Sequence, residues 1–137
     1  MALPNGSGGY QLGDGNINEV DFTVIPAPAT ATATATLTAA QVLNGILLGS
    51  PGASAASYTL PTVADLEAAL PSATKAGVSF TFSVVNVDGN TSGVITLVTN
   101  TGWTLVGLMT VVATAGTAQM FRARKSGDGA WSLYRVA

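Results

Sequence analysis

The chain has 137 residues, with 5 Lys and Arg, 7 Asp and Glu, and neither His nor Cys. Charged residues make up 9 %, against roughly a quarter in an average soluble domain, so no broad basic surface exists to hold nucleic acid by its phosphates. The missing Cys excludes disulfides, leaving the redox compartment undecided, and the missing His and Cys remove the commonest general base, the thiol nucleophile and the soft metal ligands.

Residues 1–20 read as an extended N-terminal arm. Five glycines, at positions 6, 8, 9, 13 and 15, stand against only Leu3, Tyr10, Leu12 and Ile17 as apolar anchors. Glycine loses the most entropy on ordering, and few side chains here offset it. A free tail and an arm docked on a neighbouring subunit both fit. Asp14-Gly-Asn-Ile-Asn-Glu19 offers oxygen ligands, but an EF-hand loop wants Gly at its sixth position and Glu at its last, where this chain has Glu19 and Ile25. Gly6-Ser-Gly-Gly9 lacks the preceding strand and following Gly-Lys-Ser/Thr of a phosphate cradle.

From residue 21 to 137 the chain reads as one all-β domain. Phe22–Ile25 is a short β-rich stretch that Pro26 and Pro28 interrupt. Thr30–Thr36 alternates Thr with Ala at period two, which predicts one strand with small side chains on both faces; a low-complexity linker is the other reading. Thr38 is placed to cap a helix over Ala39–Leu48, ended by Gly49, and Thr62 to cap one over Val63–Leu70, ended by Pro71. Both helices are too short to stand alone and would cover an end or edge of a sheet. Ser57–Leu60 between them reads as a strand.

Further strands are expected at Val78–Val87, Val94–Thr99, Trp103–Val106, Leu108–Ala113, Gln119–Lys125 and Trp131–Val136, with Asp88-Gly-Asn, Asn100-Thr-Gly and Ala115-Gly as turns. Ser126-Gly-Asp-Gly129 joins the last two as a tight hairpin. Short strands punctuated by glycine turns predict a jelly-roll-like β-sandwich with one or two short helices behind the arm. Their order is not legible.

No apolar run approaches the ~18–20 residues that cross a bilayer, and the N-terminus has neither the basic start nor the apolar stretch of a secretory signal. The expectation is a protein made in the cytoplasm that stays soluble unless carried elsewhere in an assembly, with no membrane partner. Few charges with 47 % hydrophobic residues is the reverse of a disordered composition, so the chain should fold. Its surface of Thr, Ala, Ser and Gly is poorly defended against association. That suits a chain covered by partner subunits; a monomer with a Thr/Ser-rich surface is the plainer reading.

Little else bears on chemistry. Lys75 and Lys125 have Ser nearby, but nothing around them resembles a Ser–Lys catalytic motif. Asp65 and Glu67, two apart on a helix, point to different sides and read as solvated, with Asp65 helping the cap. Arg122, Arg124, Lys125 and Arg135 fall in the last hairpin. Arg122 and Arg124 alternate onto one strand face, with Arg135 on the partner strand, and three guanidiniums on one face fit either ion pairs with partner carboxylates or plain solvation. Aromatic stacking positions for nucleic acid are lacking on that face. Trp103 and Trp131, with Tyr134, read as core, with sugar stacking the alternative.

Several strings together resemble one family. Thr36-Leu-Thr-Ala-Ala-Gln-Val-Leu-Asn-Gly45, Tyr58-Thr-Leu-Pro-Thr62, Ser79-Phe-Thr-Phe-Ser-Val-Val-Asn86, Thr101-Gly-Trp-Thr-Leu-Val-Gly107 and Phe121–Arg135, with Gly9-Tyr-Gln-Leu-Gly-Asp-Gly-Asn16 in the arm, are similar to capsid decoration (cement) proteins of tailed bacteriophages, notably those infecting cyanobacteria and other aquatic bacteria. The resemblance implies a small β-sandwich, often a homotrimer, that sits on the outer surface of the phage head and clamps the major capsid protein. It implies no cofactor, metal or catalysis. The contact candidates are Tyr10, Asp14 and Asn16 in the arm and Arg122, Arg124 and Arg135 in the hairpin. A receptor- or glycan-binding head-fibre or tail module is the alternative.

Overall fold

The structure, a computed structural model, describes residues 22–137. Its longest strands are written in the sequence as alternation. In β5 (Ser79–Asn86) and β9 (Thr117–Gly127) every second side chain is the more buried one, as a pleated strand with one covered face requires. The remaining elements are β1 (Ala29–Ala31), β2 (Ala35–Thr36), α1 (Ala39–Leu43), β3 (Ile46–Gly49), β4 (Ala56–Thr59), α2 (Val63–Ala68), β6 (Ile95–Val98), β7 (Trp103–Val106), β8 (Thr110–Val111) and β10 (Ala130–Arg135). The chain is therefore β-rich with two short helices.

Two mixed sheets result. One has six strands in the order β1-β3-β5-β9-β10-β7, and the other four in the order β2-β4-β6-β8. The first six strands alternate between the sheets, and within each sheet they run parallel. The chain thus winds as a flattened coil, β1–β2, β3–β4, β5–β6, each parallel pair being bridged by a strand of the opposite sheet. The last four strands extend the two sheets, with β9 antiparallel to both β5 and β10, β7 parallel to β10 at one edge, and β8 antiparallel to β6 at the edge of the other sheet. Jelly rolls are built from antiparallel strands; here five of eight pairings are parallel, so the strand order departs from that expectation. The turn signals at Asp88-Gly-Asn and Asn100-Thr-Gly mark corners between sheets, and only the one at Ser126–Gly129 closes a hairpin.

Three sequence expectations change. Thr38 does cap α1, and with Gln41 it forms a reciprocal capping box, but the helix stops at Leu43. Gly45 has φ +101°, which ends the helix, and Ile46–Gly49 becomes a central strand rather than its second half. The apolar residues at Val42, Leu43, Ile46 and Leu47 suit the spacing of a helix and also supply a strand. Thr30–Thr36 is two strands, not one, because the chain turns a corner after Ala31. The Tyr58 hydroxyl lies 3.0 Å from the Ala31 carbonyl and 2.8 Å from that of Thr32, fixing the corner from within the core. Burial holds the Tyr58 hydroxyl above its usual titration range. Phe22–Ile25 forms no strand, and Phe22 and Val24 are 81 % and 96 % exposed. Thr62, by contrast, caps α2 as expected, accepting from the Asp65 backbone N–H at 3.1 Å.

Both sheets and both helices feed one buried cluster. The six-stranded sheet contributes Leu47, Phe82, Val84, Phe121, Trp131 and Leu133, the four-stranded sheet Tyr58, Ile95, Leu97 and Val111, and the helices Val42, Val63 and Leu66. Gly49 lets the sheets approach at one end, since a Cβ there would lie 2.5 Å from Ile95 Cδ1. Asn86 is fully buried yet satisfied. Its amide donates to the carbonyls of Gly93 and Val112 at 2.8 and 2.9 Å and accepts from the Gly89 N–H at 2.7 Å, which ties the β5–β6 corner to the β8–β9 connection.

Candidate functional site

The outer face of the six-stranded sheet is the first candidate, and residue parity builds it. Side chains directly opposite across a ladder share a face. Phe121 and Ala123 point into the core, so Arg122 and Arg124 point outward, and both are exposed. Arg122 stands opposite Thr81 and Tyr134, and Arg124 opposite Ser79 and Ser132. The guanidinium of Arg122 donates to Ser79 Oγ at 3.2 Å. Along β9 the same face continues with the exposed Met120 and Ala118. The result is a field of hydroxyls and apolar groups, Tyr134 and Met120 among them, carrying two positive charges.

Arg135 does not belong to it. Ala130 pairs with Gly127 and Trp131 with Lys125, so Ser126 is an extra residue and the hairpin is bulged. An unbroken ladder would set Arg135 opposite Arg122. The bulge instead sets it opposite Phe121, on the other side of the sheet from Arg122 and Arg124. The expected group of three guanidiniums is thus a pair.

Lys125 also leaves the cluster. It shares the inward parity of Trp131 and is only 5 % exposed. Its ammonium lies 2.6 Å from Glu67 Oε2 and donates to the Ala73 carbonyl at 3.0 Å, while Trp131 Nε1 donates to the same Glu67 oxygen at 3.1 Å. Glu67, read from the sequence as solvated, therefore anchors α2 to the β9–β10 hairpin. The Lys125 ammonium and then the Trp131 indole N–H hold the Glu67 carboxyl below its ordinary value. An ammonium so paired is no free nucleophile, and no serine hydroxyl lies among its hydrogen-bond partners. Sequence gave no local sign of this contact, whose partners are 58 and 64 residues apart.

A shallow open pocket of about 460 Å³ lies beside this anchor, between the residues after α2 and the start of β5. Leu43, Leu70, Pro71, Phe80 and Trp131 make it apolar, Ser72, Ser79 and Thr81 complete the lining, and no ionisable side chain takes part. Among the described residues no three His, Asp or Glu side chains come together as a metal site. No helix among them is long and apolar enough to cross a membrane.

Trp103 and Trp131, at 7 % and 0 % exposure, lie in the core as the sequence suggested. Trp103 Nε1 donates to the Pro61 carbonyl at 2.7 Å, and the two indoles pack with centroids 6.3 Å apart. Neither offers a face to a sugar. Tyr10, Asp14 and Asn16, together with the calcium-like and glycine-rich strings, lie outside the described residues.

Against known proteins, the chain matches no family model, no curated protein and no solved structure.

Proposed function

We propose that the protein is a structural virion protein that binds the outside of a tailed-phage head and stabilises the lattice of its major capsid protein. The resemblance read from the sequence strings carries the family, and the uncovered outer face of the six-stranded sheet is the observation that best supports the role. That face has little charge and carries exposed apolar side chains, among them Met120 at 42 % and Val106 at 46 %. Such a surface is costly to leave in water and suits a standard protein–protein contact repeated in many copies. Cementing needs no chemistry, only interface area multiplied over the lattice. The implied homotrimer rests on the resemblance alone, and the jelly-roll-like sandwich on the resemblance together with the glycine turns between short strands.

The rival reading, a receptor- or glycan-binding module, was to use Trp103 or Trp131, and the burial of both leaves it without its stacking platform. Removal of Met1–Glu19 tests the role of the arm. The shortened chain is expected to keep its cooperative unfolding, because every core residue named above lies beyond the deletion. Its binding to phage heads is expected to weaken by about tenfold or more, the loss of ~1.4 kcal/mol of contact. Undiminished head binding would remove the arm from the interface.

A further inference from the structure

The two most exposed large apolar side chains among the described residues, Val24 and Phe22, lie two residues apart in the segment before β1, with Ile25 half-exposed beside them. Nothing in Phe22–Pro28 is ionisable. The chain bends at Ala27, and its departure from the sheet is fixed there. Pro26 and Pro28 on either side have φ held at about −65° by their rings, and each restricts the residue before it to extended backbone. The Ala27 carbonyl accepts from the Asn44 amide at 2.9 Å, which ties the bend to the end of α1.

The pocket of about 460 Å³ opens at the same end of the molecule. Ala29 lies beside Leu47 and Leu47 beside Val84 in parallel strands, so the chain before β1 and the pocket-lining start of β5 meet one end of the sheet. Asn44, which holds the bend, follows Leu43 of the pocket wall. Yet no residue of Phe22–Pro28 lines the pocket of its own chain. The pinned bend leads the segment past it, with Phe22 and Val24 in water. Segment and pocket are both apolar and without charge, so their contact strips no solvated ion. Burying Phe22, Val24 and Ile25 removes roughly 300 Å² of arm surface and about as much pocket wall. Two copies that exchange arms then bury about 1,200 Å², the lower limit for a stable pair.

We propose that Phe22–Ile25 of one copy seats in the pocket formed by Leu43, Leu70, Pro71, Phe80 and Trp131 of a second copy, each copy giving one segment and receiving one. The driving force is the apolar surface that each chain alone leaves exposed at both places. Exchange of an identical element between copies needs no surface beyond those the single chain already has. The inference concerns the purified protein and does not depend on the virion reading.

The cysteine-free chain permits a direct test. Full-length copies carrying a nitroxide at Thr23→Cys, between Phe22 and Val24, are mixed with isotope-labelled copies that carry none. Line broadening is expected at the amides of Leu70, Ala73 and Phe80 in the labelled copies, and sedimentation should show a mass that falls on dilution. Phe22→Asp with Val24→Asp in the nitroxide-bearing copies should weaken the association at least tenfold. Ala69→Glu in the labelled copies, at an exposed position of the pocket lining, should do the same from the other side. All three positions are exposed in the single chain, so the diluted variants should unfold at the parent's temperature. No broadening between copies at about 1 mM protein, far above the dissociation constant of a stable pair, would overturn the proposal. So would broadening that survives both variants. Broadening seen only with nitroxide and isotope on one chain would overturn the exchange in favour of closure on the chain's own pocket.

Discussion

Trp131→Ala is expected to cost about 4 kcal/mol of stability, the upper part of the range for truncating a large buried aromatic. Its side chain is fully buried, with ring centroids 5.8 Å from Phe80 and 6.3 Å from Trp103. It sits on β10 between β9 and β7, where its backbone N–H also donates to the Gly102 carbonyl at 3.0 Å. The indole N–H is the second donor to Glu67, so truncation also loosens α2. Few atoms are free to collapse into the space, because Phe80 and Trp103 are fixed on strands of the same sheet. Urea unfolding of the two proteins measures the difference. Since domains have roughly 5–15 kcal/mol in total, a variant that unfolds partly at room temperature is consistent with this expectation, and a loss under about 1 kcal/mol is not.

Glu67→Gln is expected to cost about 3 kcal/mol, because it leaves the buried Lys125 ammonium without its counter-charge. Two comparisons separate this from a general packing defect. Replacing both partners, Glu67→Leu with Lys125→Met, should recover a good part of the loss, since two apolar side chains leave no uncompensated buried charge. The pH dependence provides the second. The folded-state Glu67 carboxyl is held below its ordinary value by Lys125 and Trp131. Its contribution is therefore complete above the ordinary glutamate range and is lost as pH falls through the depressed folded value. The gap between the parent and Glu67→Gln should be widest near neutral pH and close on acidification. A gap that is constant across that range would mean that the ion pair contributes nothing.

How far the sequence reveals this molecule depends on whether the signal is local. Trp103–Val106 is a strand with the expected ends, and the Thr38 and Thr62 caps are where short polar side chains before apolar runs place them. The strand expected at Val78–Val87 is observed as Ser79–Asn86, one residue shorter at each end. Helix and strand were confused at Ile46–Leu48, because a three-residue apolar run fits either period and Gly45 is the sole sign of the break. The winding between sheets was not legible, since a turn residue marks a change of direction without saying which sheet receives the next strand.

The candidate site divides in the same way. Alternation put Arg122 and Arg124 outward, as they are. One extra residue at Ser126 sent Arg135 to the opposite face, and no residue in Ser126-Gly-Asp-Gly129 distinguishes a bulged hairpin from a regular one. The Lys125–Glu67 contact joins a helix to a strand far along the chain. Charge pattern had grouped Lys125 with its neighbours in sequence, whereas parity in β9 puts it with Phe121 and Ala123, a reading that the alternation already contained.

The proposed role on the phage head is tested most directly by co-sedimentation of the purified full chain with heads of the encoding phage that lack it. The account predicts saturable binding at a fixed ratio to the major capsid protein and heads that survive heating better once bound. Heads that sediment without it, while the protein is found on another part of the virion, would contradict it.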